Sequence, residues 1–242
     1  MFTKIYITCR IIPSVGMARV IGHNDHLTRL ARIYRDKAMM LALAYPASVV
    51  LIILNPLLIP LAVGVSAFAS YRLFKVAKKL IKYRKGLVGE LRVKEALKGL
   101  NDSYVVFNNV KLPNGNGNID HVVVGPTGVF AIETKNIKGN FVCEGDEWFK
   151  VKNGKVRKIR SISKQAKRNA LALRRFLRRY GCDQFVHGLI VLTNENCRVD
   201  LINPSVPVVE VGRLKDFIEN AKFRLSRRRI HEIVGILVSE VG

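Results

Sequence analysis

The chain has 242 residues, 49% of them hydrophobic, and sets 41 Lys and Arg against 18 Asp and Glu for a formal charge of +23. So large a cationic excess excludes an ordinary near-neutral globular domain and points to a polyanionic partner. Four scattered cysteines, without close pairs or a matching histidine pattern, argue against a zinc site and read as reduced thiols.

Residues 1–37 form a basic leader of mixed character, in which Met17 offers a second start. From Ala38 to Tyr71 no residue is charged, and this run is long enough to enter a bilayer. Asn55-Pro56 and Ile59-Pro60 divide it into halves, so it reads as a tight membrane hairpin or as one kinked span. Arg29, Arg32, Arg35 and Lys37 precede it, and Arg72, Lys75, Lys78, Lys79 and Lys82 follow. Positive flanks prefer the cytoplasm, and a hairpin satisfies that rule at both ends. The soluble alternative is a buried core hairpin, disfavoured because such a helix rarely lacks a polar face. A cleaved signal peptide fits poorly behind so long a leader.

Residues 72–85 read as a basic linker, and residues 86–242 as one domain of ordinary size. A helix is expected from Gly86 to Leu100, with Gly86, Gly89, Glu90, Val93, Leu97 and Leu100 on one face. Glu90 thus interrupts an apolar face, where a carboxylate is costly unless paired, protonated or near a metal. Its alternatives are to curl out to solvent or to pair with Lys94. The runs Ile119–Val124 and Val129–Glu133 flank Gly125-Pro126-Thr127-Gly128 and predict an antiparallel hairpin. If Gly125 faces Gly128, then Asp120 faces Glu133, and by alternation Lys135 joins them while Thr134 and His121 point away. Opposed carboxylates need a cation between them, and Mg²⁺ suits oxygen donors. The bland alternative is a pair of solvated strand residues. Asn114-Gly115-Asn116-Gly117 reads as a turn.

From Trp148 to Cys182 there is no acidic residue, whereas Lys150, Lys152, Lys155, Arg157, Lys158 and Arg160 accumulate. A helix follows from Ser161 to Tyr180, its stripe of Ile162, Ala166, Leu173, Phe176 and Leu177 interrupted by Gln165 and Asn169. Lys164, Lys167, Arg168, Arg174 and Arg175 lie on its remaining surface. These cations suit phosphate contacts, with nucleic acid favoured over anionic lipid. Phe185–Leu192 and Val206–Val211 predict strands, and Arg213–Ala221 and Arg227–Val238 predict helices.

Gly89-Glu90, Ile119-Asp120-His121-Val122-Val123-Val124, the run Gly128 to Asn136 with Gly139 after it, Gln165 and Leu192-Thr193-Asn194 together resemble the nuclease-related domain (NERD) family. That family is similar to the PD-(D/E)XK restriction-enzyme-like nucleases, and the resemblance covers roughly residues 84–195. It implies an α/β restriction-endonuclease-like core, a central mixed sheet flanked by helices, here preceded by the membrane hairpin. It implies further that Asp120 and Glu133 bind Mg²⁺ or Mn²⁺, that Lys135 assists the attacking water, that Glu90 is a further metal or water ligand, and that Gln165 braces the site or touches nucleic acid. The expectation is a nuclease tethered to the cell membrane through residues 38–71, facing the cytoplasm and cleaving DNA in preference to RNA, with no oligomeric state specified. The alternative keeps the fold as a non-catalytic nucleic-acid-binding or membrane scaffold.

Overall fold

A computed structural model of the chain describes residues 18–21, 25–113 and 117–241. Cys9, Met17 and most of the Asn114–Gly117 turn lie outside the described residues. The N-terminal half is a helical hairpin of α1 (Asp25–Ala42) and α2 (Ala44–Leu54) against α3 (Ile59–Lys98). Asn55 breaks the helix with an extended backbone, and its side chain accepts from Leu57 N at 2.9 Å, opening a short 3-10 turn at Pro56–Leu58. The arms meet through small residues. Ala62 and Ala69 are buried, Ser66 Oγ donates to Ser48 Oγ at 3.0 Å, and Tyr45 OH lies 2.7 Å from Ser70 Oγ.

The helix expected to start at Gly86 starts at Ile59 instead, so the basic residues 72–85 expected as a linker are helical. No Gly or Pro separates Val65 from Lys85, and Lys, Arg, Leu and Ala favour helix throughout. The basic leader also contributes structure, for Arg19–Ile21 is β1 and pairs in parallel with β2 (Val105–Lys111).

The central sheet is mixed and six-stranded, in the order β1-β2-β3-β4-β8-β10. β2, β3 (Asn118–Gly125) and β4 (Gly128–Lys135) form an antiparallel meander. The chain then crosses through α4 (Ile162–Arg179) to β8 (Val186–Leu192), parallel to β4, and β10 (Val208–Glu210) runs parallel to β8. Period-two alternation sorts the side chains into two layers. Val122, Val124, Val129 and Ala131 pack with Leu173 and Leu177 of α4 and with Ile233 and Leu237 of α6 (Arg227–Val241). Val123, Phe130, Ile132 and Leu189 pack with Val93 and Leu97 of α3 and with Leu214 and Ile218 of α5 (Leu214–Glu219). At the hairpin tip only glycine fits position 125, since a Cβ there would stand 2.1 Å from the Tyr104 ring.

A second sheet was not foreseen. β5 (Gly139–Glu144), β6 (Glu147–Lys152), β7 (Lys155–Ile159) and β9 (Cys197–Ile202) lie in the order β7-β6-β5-β9. Its inner residues Phe141, Cys143 and Trp148 pack on Ile162, Ala166, Ile190 and Leu192, which seats this sheet beside α4 and the ends of the central strands. Cys143, Cys182 and Cys197 are free and buried.

Candidate active site

The β3–β4 ladder runs from Gly125↔Gly128 to His121↔Ile132, the register read from the turn. One position further, Asp120 turns its Oδ2 to accept the backbone N–H of Thr134 at 2.7 Å. Glu133 is only 2% exposed although it is an acid, so its partners matter. Lys135 Nζ donates to Oε1, and Asn169 Nδ2 donates to Oε2 at 2.9 Å. Gln165 Oε1 lies 3.3 Å from the same Lys135 ammonium. One turn of α4 therefore lays two amides over the carboxylate and cation of β4.

Glu90 arrives from the opposite side of the sheet. α3 reaches the ends of β4 and β8 because residue 89 is glycine: a Cβ there would stand 2.9 Å from Asn136 Cβ and 3.0 Å from Thr193 Oγ1. Polar contacts fix this approach, with Asn136 Nδ2 donating to Lys85 O at 2.8 Å and Arg92 Nη1 to Thr193 O at 2.7 Å. Burial, then the Glu133 charge, push the Glu90 carboxyl up to about 7 against the opposing pull of Lys135. Burial also holds Asp120 well above the usual carboxylate range, reinforced by Glu133 and Glu90 and opposed by the Thr134 amide.

Three neighbouring carboxylates, of which Glu90 and Asp120 are held up by burial and by the charge of Glu133, offer hard oxygen donors only and fit a divalent cation such as Mg²⁺ or Mn²⁺ in chemistry. The side chains do not yet converge as a cage. Among the described residues no group of three or more His, Cys, Asp or Glu stands ready to hold a metal. Glu133 is engaged by Lys135 and Asn169, and Asp120 by the Thr134 amide, so ligation requires those contacts to be exchanged.

Glu90, Asp120, Glu133, Lys135 and Gln165 are thus brought to one place. Asn169 belongs with them, and its only sequence signal was that it breaks the apolar stripe of α4 one turn after Gln165. His121 is fully buried, with Nδ1 2.7 Å from Asn108 Oδ1. Burial, then Lys94, push it down to about 3, so it is a neutral structural residue rather than a surface one.

The expected nucleic-acid contacts divide. Lys164 pairs with Glu147 at 2.6 Å, Lys167 with Asp146 at 2.8 Å and Arg174 with Asp183 at 3.1 Å, which neutralises three of them. Arg168 and Arg175 are exposed and have no acidic partner among the described residues. A second set of cations lies on the β6–β7 hairpin, where Lys150 opposes Arg157 and Lys152 opposes Lys155. Directly opposed like charges destabilise a strand pair unless an anion lies against them.

A mixed sheet thus carries acid, acid and lysine at the end of its central hairpin, with a glutamate added from the preceding helix. Residues 85–193 match the nuclease-related domain family, NERD, which belongs to the PD-(D/E)XK-like nuclease superfamily. An uncharacterised protein of Bacillus anthracis is 44% identical over 68 residues, which cover 26% of this chain and 32% of that protein. The chain thus spans about a third of the length of that relative. No solved structure matches.

Proposed function

We propose that the protein is a membrane-anchored, divalent-metal-dependent nuclease that hydrolyses DNA phosphodiester bonds on the cytoplasmic side of the cell membrane. The observation that carries this reading is that Glu90 and Asp120 lie close enough to Glu133 to feel its charge, while Lys135, Gln165 and Asn169 surround it, within a segment that matches the nuclease-related domain family. Asp120, Glu133 and Glu90 would hold Mg²⁺ or Mn²⁺, which supplies a lowered pKa for water and charge neutralisation at the scissile phosphate. Glu90 would have to give up any proton on its carboxyl to take that part. The Thr134 amide keeps Asp120 oriented, and Asn169 steadies Glu133. Lys135, positioned by Gln165, donates to the oxygen on which negative charge develops. The opposed cations of the β6–β7 hairpin, with Arg168 and Arg175, offer a bed for the phosphate backbone.

The membrane part of the reading rests on two helical stretches, Thr28–Leu54 and Pro56–Lys98, which are long and apolar enough to cross a bilayer. Only 6% and 11% of their most apolar windows are buried, which weighs against a soluble core hairpin. Leu57, Ile53, Leu54 and Met40 are more than 70% exposed, and the serine contacts between the arms suit association in lipid. The basic segments at both feet of the hairpin favour a cytoplasmic location for the domain.

The engagement of Glu133 by Lys135 and Asn169 favours a second reading, a nuclease-like fold that binds nucleic acid without turnover. The two separate when the full chain is incubated with supercoiled plasmid, single-stranded DNA or structured RNA in Mg²⁺, Mn²⁺ or EDTA, beside Asp120→Ala and Lys135→Ala. Metal-dependent nicking of plasmid that both variants lose is the expected result. Binding without cleavage in every metal would leave the second reading standing.

A further inference from the structure

β10 covers only the second half of β8. The two strands pair at residues 190–192 of β8, which leaves residues 186–188 as a bare edge. On that side Ile190 N donates to Pro207 O at 3.0 Å, and Gly188, two positions earlier, turns its own N–H and C=O the same way. Pro207 has no N–H to offer in return, and among the described residues neither group of Gly188 meets a backbone partner there. Gly188 also lies close against α4, where a Cβ would stand 3.2 Å from Ala166 O. A donor and an acceptor thus point side by side out of the sheet.

A cavity of about 380 Å³ opens onto this edge, walled by Phe185, His187 and Phe223 and, from α4, by Leu171 and Arg174. No acidic side chain lines it among the described residues. The His187 ring centroid lies 3.8 Å from that of Phe223 and 4.7 Å from that of Phe185, yet the two phenylalanines stay 52% and 56% exposed, so each keeps a free face. Asp183 holds Arg174 at 3.1 Å, with the guanidinium carbon 5.8 Å from the Phe185 centroid. At about 100° per residue, Gln165 and Asn169 lie on one flank of α4 and Leu171 and Arg174 on the other, with the unpaired Arg168 and Arg175 on the outward face between them. A strand that crosses α4 from the carboxylates to the cavity passes over these two cations.

We infer that this cavity takes up one unpaired base of a nucleic-acid strand bound at the carboxylate site, stacked on the Phe185–His187–Phe223 wall and hydrogen-bonded along its edge to Gly188. Aromatic faces, a guanidinium plane and adjoining donor and acceptor groups are what an unstacked base requires, while Arg168 and Arg175 meet the phosphates that precede it. A peptide strand would use the same Gly188 groups, but a bare edge of three residues closed at one end by Pro207 is short for a ladder, whose usual strand length is about 5 to 6 residues. The inference rests on the nucleic-acid reading above and deepens it, for it assigns the substrate single-stranded character beside the site of cleavage.

The test uses the full chain in non-ionic detergent and EDTA, where no strand is cut, with a short single-stranded DNA carrying aminopurine and the fully paired duplex of the same sequence. The single strand should bind with quenching of the aminopurine. Phe185→Leu combined with Phe223→Leu should remove that quenching and weaken the single strand by about five-fold or more, as loss of one stacked base does, with duplex affinity unchanged. Phe185→Tyr combined with Phe223→Tyr should restore both. Equal loss for single strand and duplex, or no loss for either, overturns the pocket. Displacement of the strand by free dAMP at equal concentration makes the ligand a mononucleotide, and displacement by an extended Thr-Val-Thr-Val peptide but not by dAMP makes the bare edge a peptide site; either result overturns the proposal. A wild type that binds neither DNA in EDTA would sink the nucleic-acid reading itself, whereas duplex binding without any effect of the ring variants would sink the pocket alone.

Discussion

Glu90 ties the site to pH. Its carboxyl is pushed up to about 7 from an ordinary 4.5, so the fold prefers the neutral acid. The stability this provides is fully present below about 4.5 and is lost as pH rises through about 7, a change on the order of 3 kcal/mol. Metal-free protein should therefore lose melting temperature across that window, and Glu90→Gln should flatten the loss, as thermal melts in EDTA would register. An unchanged slope in the variant would remove Glu90 from the cluster. Asn169→Ala should cost about 1 to 3 kcal/mol by leaving the buried Oε2 of Glu133 without a donor, and should lower plasmid nicking more than duplex binding. Asp120, Glu133 and Lys135 were legible because strand alternation and a short turn fix which side chains share a face. Asn169 was not, because the group it serves lies 36 positions away and helical period alone does not say what a polar interruption touches.

At the scale of elements, the approach of α3 to the central sheet depends on Gly89. Gly89→Ala would force a methyl group against Asn136 and Thr193, costing about 1 to 3 kcal/mol and moving Glu90 away from Glu133. Cleavage should then fall further than DNA affinity, measured as nicking rate beside fluorescence anisotropy in EDTA. The full length of α3 escaped the sequence reading because a change from apolar to basic composition was taken for a boundary, while the backbone followed an unbroken run of helix formers. The β6–β7 hairpin escaped for a related reason. Asn153-Gly154 is a strong two-residue turn pair, and both residues take positive φ of 50° and 72°. The lysines and arginines on either side were read as charge alone, which hid the alternation beneath them. The order of the central hairpin, α4 and β8 needed no such correction, since each had its own apolar period.

At the scale of the molecule, a formal charge of +23 favours a polyanionic partner, and the number of phosphates met sets the salt dependence of any contact with nucleic acid. Each neutralised duplex phosphate adds about 0.9 to the slope of log affinity against log salt. Replacing Lys150, Lys152, Lys155 and Arg157 with Gln should reduce that slope more than replacing Lys164, Lys167 and Arg174, whose charges are already matched by acids. Anisotropy of a labelled duplex over a salt series in EDTA would decide it, and equal losses would place the backbone along α4 instead. If the apolar arm is set in a bilayer, as proposed, α3 also becomes a ruler. The same uninterrupted rod that would leave the lipid at Tyr71 delivers Glu90 about 28 Å further along its axis. It fixes the bearing of the whole domain as well as its height, since Gly89, Lys85 and Arg92 hold Glu90 to the sheet. Inserting one residue between Tyr71 and Lys85 would turn the domain by about 100° relative to the apolar arm, and inserting seven would restore its bearing while lifting it by about 10 Å. Standoff and bearing are thus set by one count of residues, and the two can be told apart only in steps of whole turns.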